Sequence, residues 1–327
     1  METKYIGLDA HSSTCTFCVL DSQGVELDCR TIVTNGRLLI NYLQSLGGNI
    51  AIAFEECDLS CWLFDILQKH VHKVVVCNPA ANVPYKQAKT DKIDARNLAN
   101  LLRGGYLKPV FHDGSDREKF RMLVSGYEDT VEESTRLKNR IGAIKRRTRS
   151  QNKIFAAGHP HFILDQFSAR LEQLCSMKAE YEKELTNTVK RFQETKYLIS
   201  QPGIAYIQAA KIIAQVVDPH RFKNKHKFFA YCGLTRHKRR SANRDYGTVR
   251  IYGNRTLKCV FKMAAHSALK GNGCLRKYYD ALREKGLNDN AARNAIARKI
   301  AAVTLSLWKN KKLFNEQVIL NSLPVKE

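Results

Sequence analysis

The first part of the chain alternates short apolar runs with turns. Residues 5–9, 13–21 and 25–33 have the β-branched and aromatic content of strands, and a turn signal at residues 21–24 separates the second run from the third. The pattern predicts a meander of three strands.

From residue 38 onward the spacing of the apolar positions changes. Residues 38–46 repeat them every three or four positions, as an amphipathic helix does, whereas residues 50–54 form an unbroken apolar run typical of a buried strand. A helix at 59–70, a buried strand at 73–77 and a helix that starts near Thr90 follow. We therefore expect three strands and then helix, strand, helix, strand and helix, which is an α/β arrangement.

Residues 115–195 are charged and have a helical period. Their largely apolar stripe follows three-four spacing, as in a coiled-coil seam, and consists of Leu164, Phe167, Leu171, Leu174, Lys178, Tyr181, Leu185, Thr188 and Phe192. The sequence Gly158-His159-Pro160 interrupts the helical pattern. Two long helices are therefore expected, arranged as a hairpin or a dimerising arm.

Two features indicate contacts with phosphate. A basic group near the end of the first long helix, where a solvated helical face is the alternative, consists of Lys145, Arg146 and Arg147. Residues 198–213 resemble a helix-hairpin-helix motif, in which a tight turn at Gly203 aims backbone N–H groups at phosphate. A packing turn without a ligand is the alternative there. Helices at about 256–269 and 290–308 are expected to complete a mainly α C-terminal part.

The formal charge of +23 comes from the C-terminal two thirds of the chain. Residues 1–110 hold 11 basic and 11 acidic side chains, and the remaining residues hold 43 and 20. Such an excess predicts a polyanionic partner, which for an intracellular chain is nucleic acid. Residues 219–262 carry 13 of the basic side chains against one acid. The candidate contacts in this segment are Arg236, Lys238, Arg239, Arg240, Arg244 and Arg250.

Composition narrows the class of protein. A hydrophobic content of 44% suits a packed core, and the longest apolar stretch, residues 38–54, has too many polar positions for a membrane span. Ten cysteines without an export signal predict reduced thiols and a cytoplasmic protein. Cys15 and Cys18 lie three apart on a strand, hence on opposite faces, which argues against a metal or redox pair.

Four acids are candidates for a metal site. Asp9 and Glu55 each end an apolar strand, and Asp91 and Asp94 lie three apart on one helix and therefore share a face. Carboxylates that converge need a cation between them, and hard oxygen ligands suit Mg²⁺ or Mn²⁺. A pair of such ions supports phosphodiester cleavage. The alternative is that the strand-end acids are solvated and that the two aspartates only favour the start of a helix.

Three motifs around these acids resemble those of the DEDD transposases. They are Tyr5-Ile6-Gly7-Leu8-Asp9, Ala53-Phe54-Glu55-Glu56 and Lys89-Thr90-Asp91-Lys92-Ile93-Asp94-Ala95-Arg96. That family comprises insertion-sequence transposases and Piv-type site-specific DNA invertases, with an N-terminal domain like the RuvC resolvase, of RNase H-like fold. The resemblance implies that the four acids bind the metal. Many members have Ala-Thr-Gly after the glutamate, whereas this chain has Glu56-Cys57-Asp58, so Glu56 or Asp58 could share the role of Glu55.

A second similarity lies in the basic segment. Residues 229–235, which end in Gly-Leu-Thr, and the serine that follows are similar to the Gly-Leu-Thr and Ser-Gly region of the same family, whose C-terminal domain contributes a serine nucleophile. The spacing of the family falls on Ser241, with Ala242 in place of the usual glycine and Arg236 in place of a common proline. The resemblance implies that Ser241 attacks a DNA phosphate, where nearby arginines would stabilise negative charge.

Together these features predict three domains. A RuvC-like acidic catalytic domain is expected at 1–112, a helical, coiled-coil linker at 113–197, and a basic DNA-binding domain with the serine at 198–327. The predicted function is that of a transposase or site-specific DNA recombinase. One alternative is a RuvC-like metal-dependent nuclease or junction resolvase that forms no covalent intermediate. The other is a non-catalytic nucleic-acid-binding protein.

The expected partners follow from the charge and from the resemblance. The charge predicts nucleic acid, and the resemblance implies DNA, as element ends and target, together with a homo-oligomer, a dimer or a tetramer. No membrane is expected. For insertion-sequence members the resemblance also implies guidance by a structured RNA, and it places the chain at the nucleoid of a prokaryotic cell.

Overall fold

The computed structural model describes residues 2–79, 90–150, 159–241, 244–250 and 253–324. Within these ranges, the side chains at 148–150, 159–160, 237–238, 240 and 250 lie outside the description. The chain forms two compact units, Met1–Glu118 and Lys119–Glu327, each with its own hydrophobic core. No helix in the described ranges combines the length and the apolar composition that a membrane crossing requires.

A five-stranded sheet forms the first unit. Its strands are β1 (Thr3–Ala10), β2 (Thr14–Leu20), β3 (Glu26–Val33), β4 (Asn49–Glu55) and β5 (Lys73–Cys77), in the spatial order β3-β2-β1-β4-β5. The first three strands form the antiparallel meander, whereas β4 pairs parallel with β1 and β5 parallel with β4. The central strand β1 thus has a parallel partner whose C-terminal end lies beside its own.

Helices cover both faces of this sheet. They are α1 (Gly36–Leu46), α2 (Ser60–Leu67) and α3 (Asp91–Arg103). Large side chains such as Leu8 and Phe54 pack with α1 and α2 in one cluster. The opposite face presents small residues to α3, and a Cβ atom added to Gly7 would overlap the backbone oxygen of Ala95. Only glycine lets α3 approach β1 this closely.

The mixed α/β character predicted for this unit is confirmed, and the order of its strands and helices is the expected one. The architecture is compatible with an RNase H-like domain. The two cysteines at 15 and 18 are buried in different clusters on the two faces of the sheet, and both thiols are free. They contribute to packing, as strand alternation predicts.

Helices dominate the rest of the chain. They are α4 (Asp116–Ser150), α5 (His159–Val189), α6 (Thr195–Ile199), α7 (Tyr206–Val216), α8 (Lys225–Tyr231), α9 (Arg255–Ala268), α10 (Cys274–Glu284), α11 (Asp289–Asn310) and α12 (Gln317–Leu320). The two long helices pack antiparallel, since Tyr127 of α4 donates a hydrogen bond to Glu182 of α5 while Glu133 pairs with Arg170. Every position of the predicted stripe on α5 and beyond is buried or partly buried. A coiled coil between chains stays a prediction.

The C-terminal core is built around α7, α9 and α11, whose apolar faces share one cluster. Gly203, in the turn before α7, has a φ of +89°, and a Cβ there would overlap the backbone oxygen of Ala264. Packing against α9 therefore explains this glycine. A contact between Gly203 and phosphate stays a prediction, as does a helix-hairpin-helix function.

One element of this unit was not expected from the sequence. Strands β6 (Arg236–Ser241) and β7 (Arg244–Arg250) form an antiparallel hairpin, in which Ser241 pairs with Arg244. The mainly α character predicted for the C-terminal part is still correct. Strand rules failed here because the hairpin is strongly basic and lacks the apolar alternation that marks a half-buried strand.

Candidate functional site

Strand alternation directs two of the predicted acids to one face of the sheet. Gly7 and Ala53 lie on the face that α3 covers, and Asp9 and Glu55 each follow two residues later. Leu8 is paired with Phe54 at the end of the parallel β1–β4 register, so the two acids occupy neighbouring strand ends. The sheet thus brings Asp9 and Glu55 to the same edge and the same face.

The start of α3 supplies the other two acids. Thr90 caps this helix, because its hydroxyl accepts a hydrogen bond from the backbone N–H of Ile93 at 3.3 Å. Asp91 and Asp94 lie in the first turn that follows the cap. Carboxylates in that turn are favoured by the helix dipole, which contributes to placing them here.

Asp9, His11 and Asp91 converge closely. The Nε2 atom of His11 lies 3.3 Å from the Asp9 carboxylate and 4.0 Å from that of Asp91, and the three ligand atoms all lie within 4.8 Å of one another. Burial raises the pKa of Asp9, the charge of His11 opposes that shift, and Asp91 and Asp94 add to it. Negative charges thus meet beside a partly buried Asp9, while His11 and Asp91 are exposed.

This arrangement fits a divalent cation. Carboxylate oxygens are hard ligands that Mg²⁺ and Mn²⁺ accept, and an imidazole nitrogen suits Mn²⁺ better than Mg²⁺. The mutual distances allow Asp9, His11 and Asp91 to share one ion. Asp94 acts on Asp9 through its charge, and Glu55 ends the neighbouring strand.

His11 was missed by the sequence analysis. Known metal-binding motifs place a second ligand at a fixed spacing from the histidine, and a single histidine after a strand matches none of them. A usable signal existed, because residues 9 and 11 lie on the same side of an extended segment. The proximity of His11 to Asp91 could not be read from the sequence, since it depends on how α3 packs on β1.

The structure also separates Glu55 from its neighbour Glu56. The Glu56 carboxylate lies 3.7 Å from Nε2 of His112, a side chain that is only 2% exposed. On its other side His112 forms a close ion pair with the buried Glu118, which also accepts hydrogen bonds from the backbone N–H groups of Asp113 and Gly114. Glu56 is therefore engaged by a different cluster, and Asp58 is exposed beyond the strand.

Cys61, His112 and Glu118 form a second group of metal-ligand types in the first unit. The Cys61 thiol lies 3.8 Å from a Glu118 oxygen. Because Glu118 contacts His112 directly and accepts hydrogen bonds from two backbone amides, the group forms a buried ion pair. It anchors the start of α4 to the segment that follows β5.

The second unit presents the predicted serine and cations on exposed elements. Ser241 ends β6 and is exposed, as are Arg236, Arg239 and Arg244. The side chains of Lys238, Arg240 and Arg250 lie outside the described residues, although all three belong to the hairpin strands. Lys145, Arg146 and Arg147 are exposed near the end of α4.

Comparison with known proteins gives a consistent result. The sequence-family model of the DEDD transposases, described as a transposase, matches residues 6–147. The model of the Transposase IS116/IS110/IS902 family matches residues 195–280. A Sinorhizobium fredii protein named as a transposase, y4pF/y4sB, is 26% identical over 81% of this chain and 72% of its own length. A 44.8 kDa protein of insertion element IS116 from Streptomyces clavuligerus is 28% identical over 41% of this chain and 34% of its own length.

Proposed function

Because this chain belongs to the DEDD transposase family, we propose that it cuts and rejoins DNA by means of a metal-binding acidic site and a serine nucleophile. Membership makes it a transposase that acts on DNA. The observation that supports the proposed chemistry is the convergence of Asp9, His11 and Asp91 at the end of the central strand. Carboxylates that lie this close repel one another, and a divalent cation between them would relieve that repulsion.

The acids of the first unit would hold the divalent ion. The ligand oxygens come from Asp9, Glu55, Asp91 and Asp94. His11 lies close enough to Asp9 and Asp91 to act as a further ligand or to orient Asp9. Bound Mg²⁺ or Mn²⁺ would supply Lewis-acid stabilisation for charge on the phosphate. The close contact between α3 and Gly7 sets the distance between the carboxylates at the strand ends and those at the start of the helix.

Ser241 is the proposed nucleophile. Its oxygen forms a bond to phosphorus while a bond from phosphorus to a sugar oxygen breaks, and the departing sugar oxygen gains the proton that the serine loses. Arg239 and Arg244, which are exposed beside Ser241 on the same hairpin, are suited to stabilise the phosphate. The product is a covalent protein–DNA ester, which preserves bond energy for rejoining.

A covalent-adduct assay tests this function. The protein, with any co-purified RNA retained, is incubated with element-end DNA in Mg²⁺ or EDTA, and protein-linked DNA is sought on a denaturing gel. We expect an adduct that requires Mg²⁺ and is absent in Ser241→Ala and in Asp91→Ala. Ser267→Ala, an exposed serine on α9, is the matched control and should retain the adduct.

Two outcomes would contradict the proposal. Cleaved DNA without an adduct, unchanged by Ser241→Ala, would indicate a metal-dependent nuclease or junction resolvase that uses water. Binding without any cleavage in Mg²⁺ or Mn²⁺ would indicate a nucleic-acid-binding protein.

The partners in this proposal are DNA, a structured guide RNA and further copies of the chain. The basic excess of the C-terminal two thirds supports binding of polyanions in general, RNA included. Nuclease treatment before the adduct assay tests the RNA requirement, because an RNA-guided enzyme loses adduct formation after RNase. Sedimentation of the full chain, with and without RNA, tests for the dimer or tetramer.

A further inference from the structure

We propose that a cavity in the second unit, lined by Thr235, Arg236, Lys258, Lys262, Asn294 and Arg298, binds a phosphodiester group of the nucleic acid. The cavity has a volume of 470 Å³, within the usual range for ligand sites. This inference rests on the proposed nucleic-acid function, but it assigns a site apart from the acids and Ser241.

Three elements build the cavity. Lys258 and Lys262 lie one turn apart on α9, and Asn294 and Arg298 lie one turn apart on α11, so each helix presents two polar side chains to the same side. The Gly-Leu-Thr turn and Arg236, the first residue of β6, close the third side. The close packing of α9 and α11 in the core fixes the spacing of these groups.

Charge identifies the ligand as an anion. Four of the lining residues are cations, and no acid lines the cavity. Within the described ranges, none of these four cations has an ion-pair partner, although Arg255 on α9 pairs with Glu132 and Arg293 on α11 pairs with Asp289. Four cations held together without a counter-ion repel one another, and an anion relieves that repulsion.

A buried hydroxyl gives a second, independent indication. The Oγ1 atom of Thr235 is buried and has no hydrogen-bond partner within the described residues. A buried polar group without a partner is costly, so such groups usually have a role. Thr235 lines the cavity, and a rotation of its side chain would turn the hydroxyl toward a phosphate oxygen there. Asn294 donates one side-chain N–H to the backbone oxygen of Asn290 and keeps its second N–H for a ligand.

The distance between the cavity and Ser241 shows that they contact different phosphates. Arg236 and Ser241 are the two ends of β6, about 16 Å apart along an extended strand. The cavity therefore holds a phosphate other than the one that Ser241 attacks. Its residues act as positioning residues, because they fix the nucleic acid on the scaffold from which the hairpin extends.

Fluorescence anisotropy with the full-length protein tests the site. Binding is measured in the Ser241→Ala background with EDTA, so that chemistry is absent and the result does not depend on the proposed mechanism. The labelled probes are single-stranded DNA, duplex DNA and single-stranded RNA of the same sequence, each titrated at several salt concentrations. The probe whose affinity falls most when the cavity residues are substituted identifies the nucleic acid that the cavity binds.

The charge test uses matched double variants. We expect Lys258→Gln/Lys262→Gln to weaken binding of the preferred probe about tenfold and to reduce the salt slope by about one. Lys270→Gln/Lys285→Gln removes the same net charge from exposed positions outside the cavity and should have a much smaller effect. Equal losses in the two double variants would overturn the proposal.

The hydroxyl test separates a binding role from a structural one. Thr235→Val removes the unpaired hydroxyl, so the free protein should keep or gain thermal stability while affinity for the preferred probe falls about fivefold. Thr235→Ser keeps the hydroxyl and should retain affinity. A loss of stability without a loss of affinity in Thr235→Val would show that the hydroxyl serves the fold and would overturn this part of the proposal.

Discussion

The two units of this chain use opposite charges in opposite surroundings. In the first, a few carboxylates meet where a rigid sheet edge and the start of a helix come together, and Asp9 is only 22% exposed. In the second, many cations lie on an exposed hairpin and on helix surfaces. Convergence requires fixed backbone geometry, whereas contact with a polyanion requires only a surface of the right sign. The two units should therefore respond differently to substitution.

The largest expected effect is on catalysis in the acidic unit. Asp9→Asn removes one charge from the convergent group, and we expect strand cleavage to fall by about 10²- to 10³-fold because metal stabilisation of the phosphate is worth several kcal/mol. In EDTA, the same substitution should raise the melting temperature, since burial of the Asp9 charge and its repulsion from Asp91 and Asp94 outweigh its attraction to His11. Asp113→Asn, on an exposed acid of the same unit outside the proposed site, is the control.

Two results for Asp9→Asn would contradict this difference between the two units. If Asp9→Asn kept full cleavage, or if it lowered the melting temperature in EDTA, then the acids would be ordinary surface groups. Anisotropy with duplex DNA should be nearly unchanged by Asp9→Asn, because the proposed phosphate contacts lie in the basic unit.

The next largest effect concerns the buried pair of His112 and Glu118. Breaking a buried ion pair costs about 3–5 kcal/mol, so His112→Gln should lower the free energy of unfolding by that amount in urea titrations. His72→Gln, on an exposed histidine of the same unit, should change it by less than about 0.5 kcal/mol. Equal small changes in both variants would show that the pair contributes little.

The same pair predicts how stability depends on pH. Burial by itself would lower the pKa of His112, but contacts with Cys61, Glu118 and Glu56 outweigh it and raise the pKa to about 11. Burial would raise the pKa of Glu118, but His112 and two backbone amides lower it to about 2. The histidine contribution is complete below pH 6.5 and is lost as pH rises toward 11, whereas the glutamate contribution is complete above pH 4.5.

Stability from this pair is therefore greatest between pH 4.5 and 6.5. We expect the free energy of unfolding of the wild type to fall from pH 6.5 to pH 9, and His112→Gln to flatten that slope. Urea titrations at several pH values measure it. An unchanged slope in His112→Gln would assign the pH dependence to other groups.

A smaller effect is expected where α3 packs on the sheet. Gly7→Ala introduces a methyl group against the backbone of α3, and overpacking of this kind typically costs about 1–3 kcal/mol. Because α3 carries Asp91 and Asp94, the shift should also weaken Mn²⁺ binding measured by calorimetry. Gly36→Ala, whose added methyl would lie 3.4 Å from a Trp62 side-chain atom, is the tolerated control. Full Mn²⁺ affinity in Gly7→Ala would show that α3 does not set the site.

What the sequence predicted follows the same division between local and tertiary information. Apolar periodicity gave every strand and helix of the first unit, since each is a local pattern. The spacing of Asp91 and Asp94 placed them on one face, which requires only helix geometry. The need for glycine at position 7 and the proximity of His11 to Asp91 were not predicted, because both depend on the packing of α3 against β1.

The basic unit shows the limit of pattern reading more clearly. Its charge was evident, but the β6–β7 hairpin was not, because strand rules rely on apolar alternation that an exposed basic ribbon lacks. The cavity between α9, α11 and the Gly-Leu-Thr turn joins residues up to 65 positions apart, from Gly233 to Arg298, so no local motif contains it. The tertiary structure brings four of the many cations together in one cavity, and their positions in the sequence do not reveal this grouping.

The smallest expected effect concerns single cations of the hairpin. Arg244→Gln removes an exposed charge from β7 beside Ser241, and loss of one phosphate contact should weaken duplex DNA binding by about 1 kcal/mol, roughly fivefold, and reduce the salt slope by about one. Because the proposed mechanism also places Arg244 near the attacked phosphate, adduct formation at saturating DNA should fall further than binding does. Lys285→Gln, an exposed cation far along the chain from the hairpin, controls for net charge. If Arg244→Gln lowered binding and adduct formation equally, the arginine would serve only as a DNA contact, and charge stabilisation at Ser241 would have to come from other residues.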